Sequence, residues 1–382
     1  MGKAEILFDG TSCQLERPGH FHGGGEYAKF ILERALDEGY RFEIVLYSHF
    51  FNDEKLDSLL SRMPAGTVHY VASKQELYGL IDSGGYCRFY TALPYGYYDY
   101  RCKAQFSGVI HGLRKVELPW NEYAWLGESR MPMRIAGRFF PGLMAKLVRS
   151  RTMGQFRKIL GIPGARIITV SEHSKYSILN FFPDFPAERI DVFYSPFSVD
   201  GFTPAEVCGD YFLMLNGERF EKNVYKAVRV FDRLFSNGCL EGKAVVVTGC
   251  GRGDMEKMVK NKERFRFLPY VPSDELVRLH REAFCFVYPS LNEGFGYPPL
   301  MAMACGVPVV ASSSTSIPEV CADAALYFSP ENADDMANRI LQVAGNAALR
   351  ESLAGKGHRR VSEIVSRQQE ALSPHLASIF AL

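Results

Sequence analysis

Residues 288–308 read YPSLNEGFGYPPLMAMACGVP. The opening tyrosine ends a short apolar run, Phe284 to Tyr288, of the kind that forms a buried strand. A glycine-rich turn follows, then a helix that Pro298 and Pro299 open and Gly306 closes. Proline fits the first helical turn because the N–H it lacks would have no partner there, and glycine fits just past the last turn because it enters the left-handed backbone region without cost. In such a strand–turn–helix unit the backbone N–H groups of the turn and the helix start face the end of the strand, where they hold phosphate or sugar oxygens. Glu293 stands just before the turn and brings a carboxylate to that space. Taken alone, it is either a ligand group or a stabiliser of the turn.

The same alternation extends in both directions, as expected of an α/β protein with parallel sheets. Strands are predicted at Glu5–Phe8, Phe42–Leu46, Thr67–Val71, Cys87–Tyr90, Gln105–Ile110 and Arg166–Val170. A second series falls at Tyr211–Leu215, Ala244–Thr248, Arg264–Leu268, Phe284–Tyr288, Val309–Ala311 and Ala325–Phe328. Helices fill several gaps: Glu26 to Glu38 repeats apolar residues at three-and-four spacing, and a helix whose Val224, Ala227, Val228, Phe231, Leu234 and Phe235 share a face has Asn223 placed to cap it. The turn-forming stretch from Tyr194 to Pro204 lacks periodicity and marks a linker. The expected domains are residues 1–200, residues 201–362, and a C-terminal helix over 363–382 that returns to the N-terminal domain.

Two domains also suit a length of 382 residues. Lys plus Arg is 44 against 43 for Asp plus Glu, so no global charge favours nucleic acid. The nine cysteines are dispersed with no C-x-x-C pair, which speaks against a disulfide framework or a zinc site and for a reducing compartment. No basic-then-apolar leader opens the sequence, and no apolar run approaches the ~18 residues of a membrane span. The expectation is a cytoplasmic protein, free or at the inner face of the membrane.

Four blocks in order, Tyr211–Asn223, Phe267–Leu276, Tyr288–Pro308 and Ile317–Phe328, resemble those of glycosyltransferase family 4. The resemblance implies the GT-B fold, two Rossmann-like domains facing across a cleft, and retaining transfer from a nucleotide sugar. It gives Glu293 the hydroxyls of the donor sugar, and gives the basic pair Arg219 and Lys222 the donor diphosphate and the charge that builds on the leaving nucleotide. Asn216, Gly217, Tyr270, Val271, Gly294, Phe295 and Gly296 fall in the donor-binding blocks. Gly24 and Gly25 lie in a loop expected beside the phosphates and the acceptor, and His111 at a strand end is a candidate for contacting the reacting sugar or orienting the acceptor. Two positions depart from the family. Gly112 replaces an Asp that commonly follows the His, and Met301 replaces a second Glu that accepts hydrogen bonds from the nucleotide ribose. A thioether cannot replace a carboxylate as an acceptor; either Met301 is a core methionine and the ribose finds another partner, or donor binding is weakened. Ser171 is read as a helix cap.

The implied reaction joins a sugar to a glycan or lipid-linked acceptor hydroxyl, in cell-surface polysaccharide synthesis. No cofactor is expected. No Asp-x-Asp pair offers to hold a metal on the diphosphate. The 249–253 stretch GCGRG fails as a dinucleotide loop because Asp254 takes the place of the third glycine, and no Lys followed by Ser or Thr closes Gly23–Gly25 into a P-loop. An epimerase or phosphorylase on the same fold, or a non-catalytic nucleotide- or glycan-binding protein, are the alternatives. Residues 130–158 carry eight basic side chains and no acidic one, with Phe139, Phe140, Leu143, Met144, Leu147 and Val148 interleaved. This segment either lies on an anionic membrane surface or packs its apolar side into the protein.

Overall fold

The structure is a computed structural model and describes residues 4–15, 23–128, 130–199, 201–204, 209–251, 253 and 255–381. Its contacts divide the chain into two compact units, Met1–Leu113 with Arg151–Pro196 and Arg367–Leu382, and Arg114–Ser150 with Phe197–Ser366.

The first unit contains a seven-stranded parallel sheet. Its strands are β1 (Ile6–Asp9), β2 (Glu43–Tyr47), β3 (Val68–Val71), β4 (Arg88–Thr91), β5 (Gln105–Ile110), β6 (Arg166–Thr169) and β7 (Ile190–Val192), in the order β3-β2-β1-β4-β5-β6-β7. β1 is buried along its whole length, as expected of a central strand covered on both faces. The edge strand β7 was not predicted: three residues with an aspartate in the middle carry no period-2 signal, and pairing with β6 defines it.

The second unit contains a six-stranded parallel sheet: β8 (Tyr211–Met214), β9 (Ala244–Val247), β10 (Phe265–Phe267), β11 (Cys285–Tyr288), β12 (Val309–Ser312) and β13 (Ala325–Phe328), ordered β10-β9-β8-β11-β12-β13. The apolar face predicted for the helix Val224–Ser236 lies in the core with Phe212, Val245 and Val287, and Phe235 packs at its margin.

Residues 114–150, placed with the N-terminal domain by the sequence, pack in the second unit. Arg114 pairs with Glu221 at 3.0 Å, Asn292 donates to Glu117, and Tyr123 stacks on Tyr225 with centroids 5.6 Å apart. Near the C-terminus one helix, Ala347–Phe380, contains the boundary between Ser366 and Arg367. Its end packs in the first unit, where Phe380 meets Phe42 at 5.0 Å and Arg367 donates to the Tyr194 hydroxyl at 2.8 Å.

Candidate active site

In the second sheet the order reverses between β8 and β11. Connections leaving two such neighbours diverge to opposite sides and open a crevice outside the carboxyl ends of the strands. The loops that border it are Asn216–Asn223 after β8 and Ser290–Gly296 after β11, so topology joins stretches separated by about seventy residues in sequence.

The first loop is laced to its neighbour. Asn216 adopts a left-handed backbone (φ 58), and a Cβ on Gly217 would stand 2.5 Å from Cys250 Sγ. The Gly217 N–H donates to Thr248 O at 2.9 Å, and the Glu218 carboxylate accepts the Gly251 N–H at 2.6 Å. The loop discounted as a dinucleotide motif thus braces the β8 loop. A 3-10 turn, Phe220–Lys222, then leads through Asn223 into the helix.

Asn223 does not cap that helix. A cap needs an extended backbone to bring its side-chain oxygen back to the helical N–H groups. At φ 56 Asn223 has turned away; its amide donates to Pro330 O at 3.0 Å, and its Oδ1 is buried without a partner.

The loop after β11 is fixed by β12's exit. Glu293 N–H donates to Thr315 Oγ1 at 2.9 Å, and Ser316 Oγ donates to the carbonyls of Glu293 (3.1 Å) and Phe295 (2.7 Å). Thr315 is a β-branched residue at φ 51, a costly conformation that persists only where surroundings impose it. Gly296 (φ 119) starts the helix Tyr297–Ala304, and Gly306 (φ 72) follows its end, as the prolines and glycine of that stretch predict.

Across the crevice border the side chains form a charged cluster. Lys222 Nζ meets Glu293 Oε1 at 2.6 Å, each side chain only 7% exposed, and the ammonium lies 5.3 Å from the Tyr288 ring centre. Glu221 Oε1 accepts from Arg219 Nη2 at 2.6 Å and from Arg114 Nη1 at 3.0 Å. Three cations therefore face two carboxylates. Burial would raise the Glu293 carboxyl, but Lys222 and Arg114 hold it down at about 2. Burial likewise opposes ionisation of Glu221, and Arg219 and Arg114 overcome it, so its pKa is lowered. Lys222 is shifted down as well, by burial and then by Arg219 and Arg114 against the pull of Glu293. The two carboxylates are lowered by the cations around them, whereas Lys222 is lowered first by burial and Arg219, against burial, is raised by Glu221.

Sequence reasoning located Arg219, Lys222 and Glu293, and the fold brings Lys222 and Glu293 into contact. It assigned no role to Arg114 or Glu221. Glu221 lies inside the block Tyr211–Asn223, and the signal for Arg114 was its place just past the β5 end. Phe295 is buried and Gly294 lies in the same turn. Met301 is half-buried on the helix, not a core methionine. Tyr270 is 75% exposed and Val271 half-buried, both in the loop after β10 and outside the charged cluster.

In the first unit, Gly24 and His111 come together: a Cβ on Gly24 would meet Leu93 Cδ2 at 2.5 Å and His111 Nε2 at 3.4 Å. His111 Nε2 lies 3.0 Å from Ala92 O, which only accepts, so Nε2 carries the proton. Gly112 has φ 141, a conformation that L side chains rarely adopt, which accounts for glycine where the family has Asp. Gly25 is buried in the first turn of the helix Gly23–Asp37. Ser171 caps its helix by accepting the Ser174 N–H at 3.1 Å. At the end of β1, Asp9 accepts from Thr11, Thr91 (2.6 Å) and Tyr97 (2.8 Å).

Two parallel doubly-wound units with a cation-rich crevice in the second define the GT-B class of fold. Residues 209–360 match the family model for glycosyl transferases group 1. The O-antigen chain mannosyltransferase B of Escherichia coli is 34% identical over 208 residues, 50% of this chain and 54% of that protein. The O-antigen chain mannosyltransferase RfbU of Salmonella typhimurium is 31% identical over 173 residues, 44% and 47% of the two chains. The matched stretch thus spans about half the length of each relative. Among solved structures, Anabaena Alr3699/HepE in complex with UDP and glucose shares the fold, with TM-score 0.65, 15% identity, and 98% of this chain and 100% of that chain covered. Among the described residues no helix is long and apolar enough to cross a membrane.

Proposed function

We propose that this chain is a retaining glycosyltransferase that moves a hexose from a nucleoside-diphosphate sugar to a hydroxyl of a glycan or lipid-linked acceptor in cell-surface polysaccharide synthesis. The observation that carries this reading is the Lys222–Glu293 pair within a cation-rich cluster at the β8/β11 crevice. Lys222, Arg219 and Arg114 stabilise the charge that develops on the leaving diphosphate, a task that needs donors already in place. They supply positive charge without a metal ion. Glu293, ionised because those cations hold its pKa down, accepts hydrogen bonds from the sugar hydroxyls. The acceptor oxygen bonds to the anomeric carbon on the face from which the phosphate oxygen departs, and its proton passes to that phosphate oxygen. No covalent sugar–enzyme intermediate is required, in contrast to retaining glycosidases with their carboxylates ~5 Å apart. His111, packed beside Gly24, contacts the reacting sugar or orients the acceptor. The names of the two O-antigen relatives favour a mannosyl group and a surface glycan, and the UDP and glucose of the Anabaena protein favour a nucleotide and a hexose. The eight described cysteines are free thiols, in keeping with the reducing cytoplasm.

The test is release of nucleoside diphosphate from a panel of uridine, guanosine and thymidine diphosphate sugars, mannose donors first, with lipid-linked and glycan acceptors and with or without EDTA. Donor-specific release that persists in EDTA and collapses in Glu293→Gln is the expected result. Binding without turnover under every condition would replace the transferase with the non-catalytic reading that Met301 suggests. A free epimer, or dependence on added phosphate, would replace it with an epimerase or phosphorylase.

A further inference from the structure

The sequence left two readings of residues 130–158, and the structure separates them. The helix Met131–Phe139 and the helix Pro141–Leu160 meet at Phe140, and Met131, Ile135, Phe139, Leu143 and Leu147 recur every four residues through both. Neighbours four apart share a face within each helix, Ile135 with Met131 and Phe139 in the first and Leu143 with Leu147 in the second, and the non-helical Phe140 joins the two. These five and Phe140 are exposed, from 53% at Ile135 to 67% at Phe139, and they are six of the fourteen exposed large apolar residues among those described. Other positions of the two helices pack: Gly137 is buried against Trp120, whose indole N–H donates to Gly137 O at 3.2 Å, and Met144 is buried. An uncovered apolar stripe of this size marks an interaction surface.

Its charge selects the occupant. No acidic residue occurs between Ser129 and Ser171. Arg130 is neutralised by Glu128 at 3.2 Å and Arg149 donates to Val116 O at 2.8 Å, but Arg138, Lys146 and Arg151 are exposed beside the stripe. Arg134 and Arg138 lie 5.5 and 4.9 Å from the Trp125 ring centre. Two copies of the chain pairing through this stripe would set cations against cations. We propose that residues 131–151 dock on an anionic lipid bilayer, with the apolar stripe entering the headgroup–acyl boundary and the cations meeting lipid phosphates.

The chain's two tryptophans, Trp120 and Trp125, flank the stripe, so intrinsic fluorescence reports on it. The experiment is co-sedimentation of the full chain with phosphatidylcholine vesicles, with and without phosphatidylglycerol, together with tryptophan quenching by brominated lipid. Expected are binding and quenching only with the anionic lipid. Each exposed cation removed should weaken binding about fivefold, so Arg138→Gln with Lys146→Gln should lower it roughly twenty-five-fold. Leu143→Glu with Leu147→Glu should abolish it, while thermal melting stays unchanged because both positions are exposed. Equal binding to both vesicle types, wild-type binding by either double variant, or a dimer in light scattering that Leu143→Glu with Leu147→Glu dissociates would each overturn the proposal.

Discussion

The two sheets reverse their strand order at equivalent places, β1 beside β4 and β8 beside β11, yet the two positions are furnished differently. At the first stands Asp9, buried and saturated by the hydroxyls of Thr11, Thr91 and Tyr97, with burial pushing its pKa above the usual carboxylate range. At the second stand Lys222, Arg219 and Arg114 against Glu293 and Glu221, with both carboxylates pulled down. The topology offers a crevice in each case; the side chains decide whether it is closed by internal hydrogen bonds or left with charge to spend on a ligand. In one unit the polar groups hold the loops, and in the other three cations outnumber two carboxylates.

The comparison breaks most visibly if both sites matter for the same property. Lys222→Met should lower nucleotide release about a hundred- to a thousandfold, the usual cost of removing one preorganised donor to developing negative charge. It also leaves Glu293 buried without its partner, at about 3–5 kcal/mol of stability, so the measurement needs protein shown to be folded by circular dichroism. Asp9→Ala should do the opposite. Stranding the Thr91 and Tyr97 hydroxyls costs roughly 3 kcal/mol in urea unfolding, while nucleoside diphosphate affinity measured calorimetrically stays within twofold. Loss of that affinity in folded Asp9→Ala would end the division of labour argued above.

A smaller effect sharpens the second site. Met301 is half-buried on the helix that begins at Tyr297, so a polar side chain of similar length there reaches the surface. Met301→Glu should tighten nucleoside diphosphate binding by about tenfold to a hundredfold, the value of one charge-assisted hydrogen bond of roughly 1.5–3 kcal/mol. Unchanged affinity would mean that the ribose is held elsewhere.

Most of this architecture was legible in the sequence, and the exceptions share a cause. Twelve strands stood out as short runs rich in apolar, aromatic or β-branched residues; β7, three residues with Asp191 in its middle, did not. Glu293 and Lys222 stood out through the resemblance to glycosyltransferase family 4, in strand–turn–helix units that taken alone left their roles open, and it is the strand order of the structure that brings them together. Arg114 was missed because its partner Glu221 lies more than a hundred residues away and no local pattern links them. Asn223 misled because its residue type suits two conformations, a cap and a left-handed turn, and only tertiary packing chooses between them. The boundary near residue 200 overlooked residues 114–150 for the same reason: a segment's domain is decided by what it packs on.

Each unit also buries one neutral histidine, and this gives a pH-dependent effect. His375 in the first unit stacks on Phe193 at 3.9 Å with its Nε2 3.0 Å from the Tyr27 hydroxyl, and burial lowers its pKa to about 3. His280 in the second donates from Nδ1 to Leu276 O at 2.9 Å, its Nε2 buried without a partner, and burial lowers it to about 4. Unfolded histidine takes up its proton near pH 6.5, so between that pH and the folded values the unfolded state binds more protons. Stability therefore falls as pH drops below about 6.5, by about 2 kcal/mol per histidine between pH 7 and pH 5. Glu293 runs on a separate scale: held at about 2, it contributes stability above its unfolded value near 4.5 and loses it only below that. Asp9, whose pKa burial raises, gains stability as pH falls and runs against the histidines, so their share is read from the variants. Urea unfolding between pH 7 and pH 5 should show a slope from which His280→Leu removes the second unit's share and His375→Gln the first's. A pH slope that neither substitution changes would mean that both rings reach water, and that neither unit is closed around its histidine as described.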